Sequence, residues 1–477
     1  MVEKLSLETL RKKHLRFVYQ SYAWSFHEDQ LELSFQFQLE PEIIFQPRIV
    51  ISNLDQTRFS NIPKNILDNW IFNLGMIELF SYWKATAAPE IVVEAGYLST
   101  EQLAWWHQLI IDGMGEYFYT NQINFTSKNF LKITSNSNQQ TQENSQVGLS
   151  LNSNEKYLVP VGGGKDSALV IELLEKNNLP YDILLSYPQS PAALTISETS
   201  NQKIVEIKRT IDPKLLELNK LGYLNGHTPF SARLAFESSL VALINGHQAV
   251  LLANEFSANE GNVPYLGTVV NHQYSKSFDF ENKFRAYVKK YLNPTAEYLS
   301  LLRPLTELQI AAIFAQSHHF HSVFRSCNRG QQQNKWCGEC PKCLFVFSIL
   351  YPFIDEQKLT SEIFTENLFT KPIMKQTAQE LMGLDATKPF ECVGTHEETQ
   401  TAFLLSIKKW RQHHPGETLP VVLEFVNQEI LKQVPDLEKT ASWLLCFWNK
   451  DHNLDEKLAA IVQQAAQTIC SNKEQYL

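Results

Sequence analysis

The stretch YLVPVGGGKDSALVIELLE, residues 157–175, decides the fold. The run from Tyr157 to Val161 has the composition of a short buried strand. Three glycines follow, Gly162, Gly163 and Gly164, then Lys165, Asp166 and Ser167 at the start of a helix that Asn177, Asn178 and Pro180 end. A strand, a glycine turn and a helix N-terminus together form an anion site. The first-turn N–H groups lack intrahelical acceptors, and the helix dipole favours negative charge there. Glycine lets the backbone come close to a ligand and adopt conformations barred to other residues. Lys165 can add a cation to phosphate oxygens, and Ser167 can donate its hydroxyl. Asp166 suits a helix cap or a divalent ion. The pattern is neither G-x-x-x-x-G-K-[ST], because Asp166 follows Lys165, nor G-x-G-x-x-G. A tight strand–helix turn that binds nothing is the bland alternative.

Outward from this stretch, YDILLSY (181–187), KIVEIKRTI (203–211) and QAVLLANE (248–255) read as further strands, with helices between them. That alternation predicts a parallel sheet covered on both faces, with ligands beyond the carboxyl ends of its strands. The glycine turn, Ser186–Tyr187 and Asn254–Glu255 all fall at such ends. Upstream, Leu31, Leu33, Phe35, Phe37 and Leu39 alternate with polar residues, the period of a strand with one wet face. IIFQPRIVI reads as its partner, with Pro47 at an edge or bulge. Helical spacing follows over 65–84 and again after Ser99–Thr100, the N-cap candidates.

Residues 134–146 contain no apolar side chain and give the best domain boundary. From about 355 onward the spacing is amphipathic and helical. The expected plan is an α+β N-terminal domain (1–133), a linker (134–154), an α/β nucleotide domain carrying a cysteine knuckle (155–355) and a helical C-terminal region (356–477).

A chain of 477 residues exceeds one compact core. The net charge of −9 and the lack of a Lys/Arg block weigh against a nucleic-acid partner. No apolar run reaches the length of a membrane span, and the N-terminus lacks an apolar h-region, so the chain reads as cytoplasmic. No signal for an oligomeric state is present. Cys392, Cys446 and Cys470 are scattered, and a disulfide framework is not expected.

The other four cysteines cluster. Cys327 precedes Cys337, Cys340 and Cys343, a C-x-x-C-x-x-C run in which Gly338 and Pro341 supply tight turns. Four thiolates at these spacings can close a tetrahedron around a structural Zn²⁺. Four reduced, buried cysteines are the alternative.

The turn resembles the pyrophosphate loop (PP-loop) of the N-type ATP pyrophosphatases, S-G-G-x-D-S. Gly163, Gly164, Asp166 and Ser167 match, while Gly162 stands where the serine would be. The fold implied is an adenine nucleotide alpha hydrolase-like sheet, and the chemistry is cleavage of ATP between its α and β phosphates with adenylation of an oxygen. Longer phrases resemble a narrower family: GMIELFSYWKATAAPEIVVEAG (75–96), GMGEYFYTNQINF (113–125), GTVVNHQYSKSFDFENKFR (267–285), LSLLRPLTELQIA (299–311), FRSCNRG with WCGECPKCLFVFSIL (324–350) and KPFECVGTHEE (388–398). Together with the turn they are similar to the UDP-N-acetylmuramoyl-L-alanyl-L-glutamate epimerases (MurL) of peptidoglycan synthesis. The resemblance implies UDP-MurNAc-L-Ala-L-Glu as substrate, ATP as cosubstrate, Mg²⁺ on the ATP phosphates, and AMP and diphosphate as products.

Under that reading residues 162–167 hold the phosphates. His272 or Lys276 is the α-proton base, or both bind the substrate's anionic groups together with Tyr274. Glu255 holds Mg²⁺ or acts as base, and Arg303, Arg325 and Arg329 are candidate cations for an acidic substrate. The bland readings are a hydrogen-bonded loop, a capping carboxylate and surface salt bridges. Trp105, Trp106 and the SYWK segment (81–84) read as core. The alternatives are a PP-loop enzyme acting on an RNA base or purine precursor, and a nucleotide-binding module without catalysis.

Overall fold

All five alternating apolar side chains of residues 31–39 are buried in one strand, β2 (Gln30–Leu39). A computed structural model of the chain describes residues 4–136, 153–384 and 388–477. β1 (Arg16–His27) pairs antiparallel with β2, as do β3 (Ile43–Phe45) and β4 (Arg48–Ser52), and Pro47 sits in the break between β3 and β4. β5 (Glu90–Val93) and β6 (Lys132–Ser135) extend the other edge in parallel with β1. Thr134 and Ser135 therefore close a strand, and the polar residues 137–146 lie outside the described residues.

The second half supplies β7 (Tyr157–Pro160), β8 (Tyr181–Tyr187), β9 (Ile204–Thr210), β10 (Ala249–Leu252) and β13 (Glu297–Ser300), all parallel. β11 (Val263–Tyr265) and β12 (Thr268–Val270) form a separate hairpin. The two halves are not separate sheets. β4 pairs antiparallel with β9, from Arg48 opposite Thr210 to Ser52 opposite Glu206. One eleven-stranded mixed sheet results, ordered β13-β10-β7-β8-β9-β4-β2-β1-β5-β6, with β3 beside β2.

Both faces of its parallel half are covered. Leu158 and Leu184 pack into the core shared with the N-terminal helices, while Val159, Ile183 and Leu185 pack into the core shared with the C-terminal helices. This two-sided burial explains the continuous apolar runs of β7 and β8. Tyr82, Trp83 and Trp106 are fully buried, as expected of core, and Trp105 is half-buried and packs against the same cluster. The C-terminal region is helical, from His396–His413 to Glu456–Ser471. One disulfide, Cys446–Cys470, ties two of its helices together, where the sequence suggested only scattered thiols. Among the described residues no helix is long and apolar enough to cross a membrane.

Candidate functional site

The helix Lys165–Lys176 begins directly beyond the carboxyl end of β7. Gly163 has φ +89°, and a Cβ there would lie 2.6 Å from Ser190 Oγ and 2.8 Å from the Ala193 nitrogen. Only glycine satisfies both demands. A Cβ on Gly162 meets nothing within 4 Å, and Gly164 is the N-cap with no side-chain cap bond. The turn borders, through Gly162, a cleft of about 410 Å³ at the ends of β7 and β8. Gly162, Ser186, Ser190, Lys276, Asn328 and Gln331 are among its lining residues, and the buried Ser186 Oγ has no hydrogen-bond partner.

The charged residues of the turn face inward. Lys165 is fully buried and pairs with both Asp166 and Glu307. Its ammonium thus sits between two carboxylates, beneath the turn where the sequence reading set it on phosphate oxygens. Ser167 donates to the Gly164 carbonyl at 3.2 Å. Glu255 joins the same charge cluster. Burial lifts its carboxyl above the ordinary value, Lys276 pulls it back, and Asp166 lifts it again. Burial also acts on Asp166, but Lys165 and Lys342 hold its carboxyl low.

Lys276 lines the cleft and reaches the Cys392 thiol at 3.1 Å. Burial opposes its charge, yet Cys392 and Glu255 raise its pKa above that of an ordinary lysine. His272 interacts with the same sulfur, and its Nδ1 bonds the Glu116 carboxylate. Burial again opposes the charge, and Cys392 and Glu116 overcome it, pushing the imidazole up to about 9. Burial and the neighbouring His272 push His227 down to about 4. Glu116, His227 and His272 bring ligand-type atoms within 4.8 Å of one another.

The remaining expected residues are placed as follows. Arg303 is fully buried and donates to the carbonyls of Glu255 and Lys276 at 2.7 and 2.6 Å and to Glu281 at 3.1 Å. It positions two site residues and has no open side for a substrate. Arg325 donates to the carbonyls of Ser322 and Phe324, which turns its charge onto its own loop. Arg329 is exposed. The Tyr274 hydroxyl donates to Asp279 at 2.8 Å and faces the surface.

The four clustered cysteines converge. Cys327 and Cys340 sulfurs lie 4.0 Å apart, Cys337 and Cys343 3.7 Å, and Cys340 and Cys343 3.5 Å. A tetrahedral zinc with bonds of about 2.3 Å needs sulfurs about 3.8 Å apart. The set can hold a metal and leaves no open position. The same module clamps the glycine turn. The Arg325 N–H donates to the Gly163 carbonyl at 2.8 Å, and Gln331 Nε2 donates to the Gly162 carbonyl at 3.2 Å.

The MurL N-terminal domain matches residues 8–301, and the MurL C-terminal domain matches residues 323–436. The chain belongs to the MurL family. Three curated relatives are named UDP-N-acetyl-alpha-D-muramoyl-L-alanyl-L-glutamate epimerase. That of Xanthomonas oryzae pv. oryzae (strain MAFF 311018) is 34% identical over 349 residues, covering 71% of this chain and 75% of the relative. That of Micromonospora sp. (strain ATCC 39149 / NRRL 15099 / SCC 1413) is 34% identical over 337 residues, covering 69% and 73%. That of Salinispora tropica (strain ATCC BAA-916 / DSM 44818 / JCM 13857 / NBRC 105044 / CNB-440) is 34% identical over 337 residues, covering 70% and 72%. No solved structure matches.

The site spans both MurL domains. Asp166, Glu255, His272 and Lys276 come from the first, and Lys342 and Cys392 from the second. Sequence reasoning missed Glu116, Glu307, Lys342 and Cys392. All four sit inside phrases shared with the MurL family, which was their only signal. Lys342 was hidden between two zinc-type cysteines.

Proposed function

We propose that this chain inverts the terminal glutamate of UDP-MurNAc-L-Ala-L-Glu, coupled to conversion of ATP into AMP and diphosphate. Membership of the MurL family and the names of the relatives support the reaction. The single observation that carries the adenylation step is the cleft at the end of β7. There the bare glycine turn, through Gly162, and Lys276 line one cleft, and Asp166 and Glu255 belong to the charge cluster around Lys276.

The physical logic runs from charge. The α-proton of an ionised glutamate is very weakly acidic, because its removal places a second negative charge beside the first. Converting the carboxylate to an acyl-adenylate removes that charge and makes the carbonyl an electron sink. The turn's N–H groups bind phosphate oxygens, and with Lys165 committed to carboxylates the backbone carries this contact. Lys276, on the cleft wall, meets the anionic substrate. Asp166 and Glu255 repel one another inside a buried cluster, a donor set that suits Mg²⁺. Bound there, the ion would offset charge on the departing diphosphate. The four cysteines, holding Zn²⁺, brace the loop that clamps the turn.

The test uses purified protein, UDP-MurNAc-L-Ala-L-Glu, ATP and Mg²⁺ in deuterated water. The expected result is deuterium at the glutamate α-carbon together with AMP. AMP without exchange would overturn epimerisation, and exchange without ATP would overturn carboxylate activation.

A further inference from the structure

Among the described residues, one half-buried thiol lies at the meeting point of the two MurL domains and has no place in the scheme above. Cys392 lies in the segment that leads into the helix His396–His413, and three cations converge on it. Lys276 Nζ lies 3.1 Å from its sulfur, His272 interacts with the same sulfur, and Lys342 Nζ donates to its carbonyl. His272 is in turn oriented by Glu116. A side chain oriented by a carboxylate and facing a thiol is the geometry by which proteins generate a thiolate. Nothing in the packing of a structural cysteine requires two cationic side chains on one sulfur.

Resting on the proposed epimerase reaction, we infer that Cys392 is the base that removes the α-proton of the activated glutamate. Its place beside Lys276 puts it next to the cleft wall. Of the groups around this sulfur, His272 is engaged by the Glu116 carboxylate and Lys276 points its ammonium at Cys392 itself, so both stand as donors to the cluster. Burial works against a charged sulfur, but Lys276, His272 and Lys342 bring its pKa down to about 5. The acceptor of the cluster is therefore the thiolate. In the step, the Cα–H bond breaks as an S–H bond forms, and the electron pair moves into the acyl-adenylate carbonyl to give an enolate. A solvent-derived proton then reaches the opposite face of the carbon, and the thiol returns its own proton to solvent. No bond forms between sulfur and substrate carbon.

The experiment compares wild type with Cys392→Ser and Cys392→Ala in the full chain. Three readouts are followed: α-deuterium exchange, ATP–diphosphate exchange, and intact mass after acid quench. The expected result is a loss of α-exchange by at least about 100-fold in both variants. ATP–diphosphate exchange should stay within tenfold of wild type. Iodoacetamide near pH 6.5 provides a test that needs no folded variant. Wild-type enzyme should be alkylated at Cys392 and lose α-exchange in step, and substrate with ATP should protect both. Retention of α-exchange within tenfold in Cys392→Ser, or a substrate acyl adduct on Cys392, would overturn the inference. Wild-type enzyme that shows neither AMP nor exchange would sink the underlying reaction instead.

Discussion

The Arg325 main-chain N–H donates to the carbonyl of Gly163 across 2.8 Å. Two residues later Cys327 enters the four-cysteine cluster, so the geometry of the glycine turn depends on a loop anchored by those thiols. Cys340→Ser should abolish bound zinc, measured by elemental analysis of the purified chain. It should lower stability by roughly 3 kcal/mol or more and weaken ATP binding as well. Full metal content or unchanged nucleotide affinity would separate the cluster from the turn.

Gly163 and Gly162 should behave oppositely. Gly163→Ala forces a Cβ onto Ser190 and Ala193 at positive φ, at a cost of about 1–3 kcal/mol, with AMP release falling at least tenfold. Gly162→Ser faces open space and supplies the hydroxyl of the S-G-G-x-D-S pattern that the turn resembles, so its stability should stay within about 0.5 kcal/mol of wild type. Denaturant midpoints and AMP release check both.

Arg303→Met should show that this guanidinium holds the site from within. The change strands Glu281 and two carbonyls in a buried environment. A loss of roughly 3–5 kcal/mol is expected. A variant as stable as wild type but with weakened substrate binding would instead return Arg303 to the role of substrate ligand.

Glu172 makes stability pH-dependent. Its carboxyl accepts from Ser317 at 2.5 Å, while Oε2 is buried without a partner. Burial raises it to about 7. The folded state therefore binds this proton more tightly than the unfolded state. The associated stability is complete below the ordinary carboxyl range and is lost as pH rises toward 7. Glu172→Gln should raise the melting temperature at pH 8 by a few degrees and change it little at pH 4. An equal shift at both pH values would contradict this.

Local pattern made much of the fold legible. β2 announced itself by strict alternation, and β7 and β8 by apolar runs bounded by turns. The seam between β4 and β9 left no trace, because strand pairing across more than 150 residues depends on register rather than composition. The turn was legible through its glycines, whose conformations have no substitute. The inward rotation of Lys165 was not, since sequence does not reveal that Glu307 lies beneath it. Cys392 looked like one scattered thiol among three. Its significance comes from a long-range approach to Lys276 that no spacing encodes.

The β4–β9 seam also constrains movement. Many enzymes shut around their reactants by swinging one lobe against another on a flexible joint. Here the hydrogen bonds from Arg48–Thr210 to Ser52–Glu206 weld the two lobes edge to edge. Such a swing would have to tear a ladder in the middle of the sheet. Any enclosure of the reactants has to leave that ladder intact.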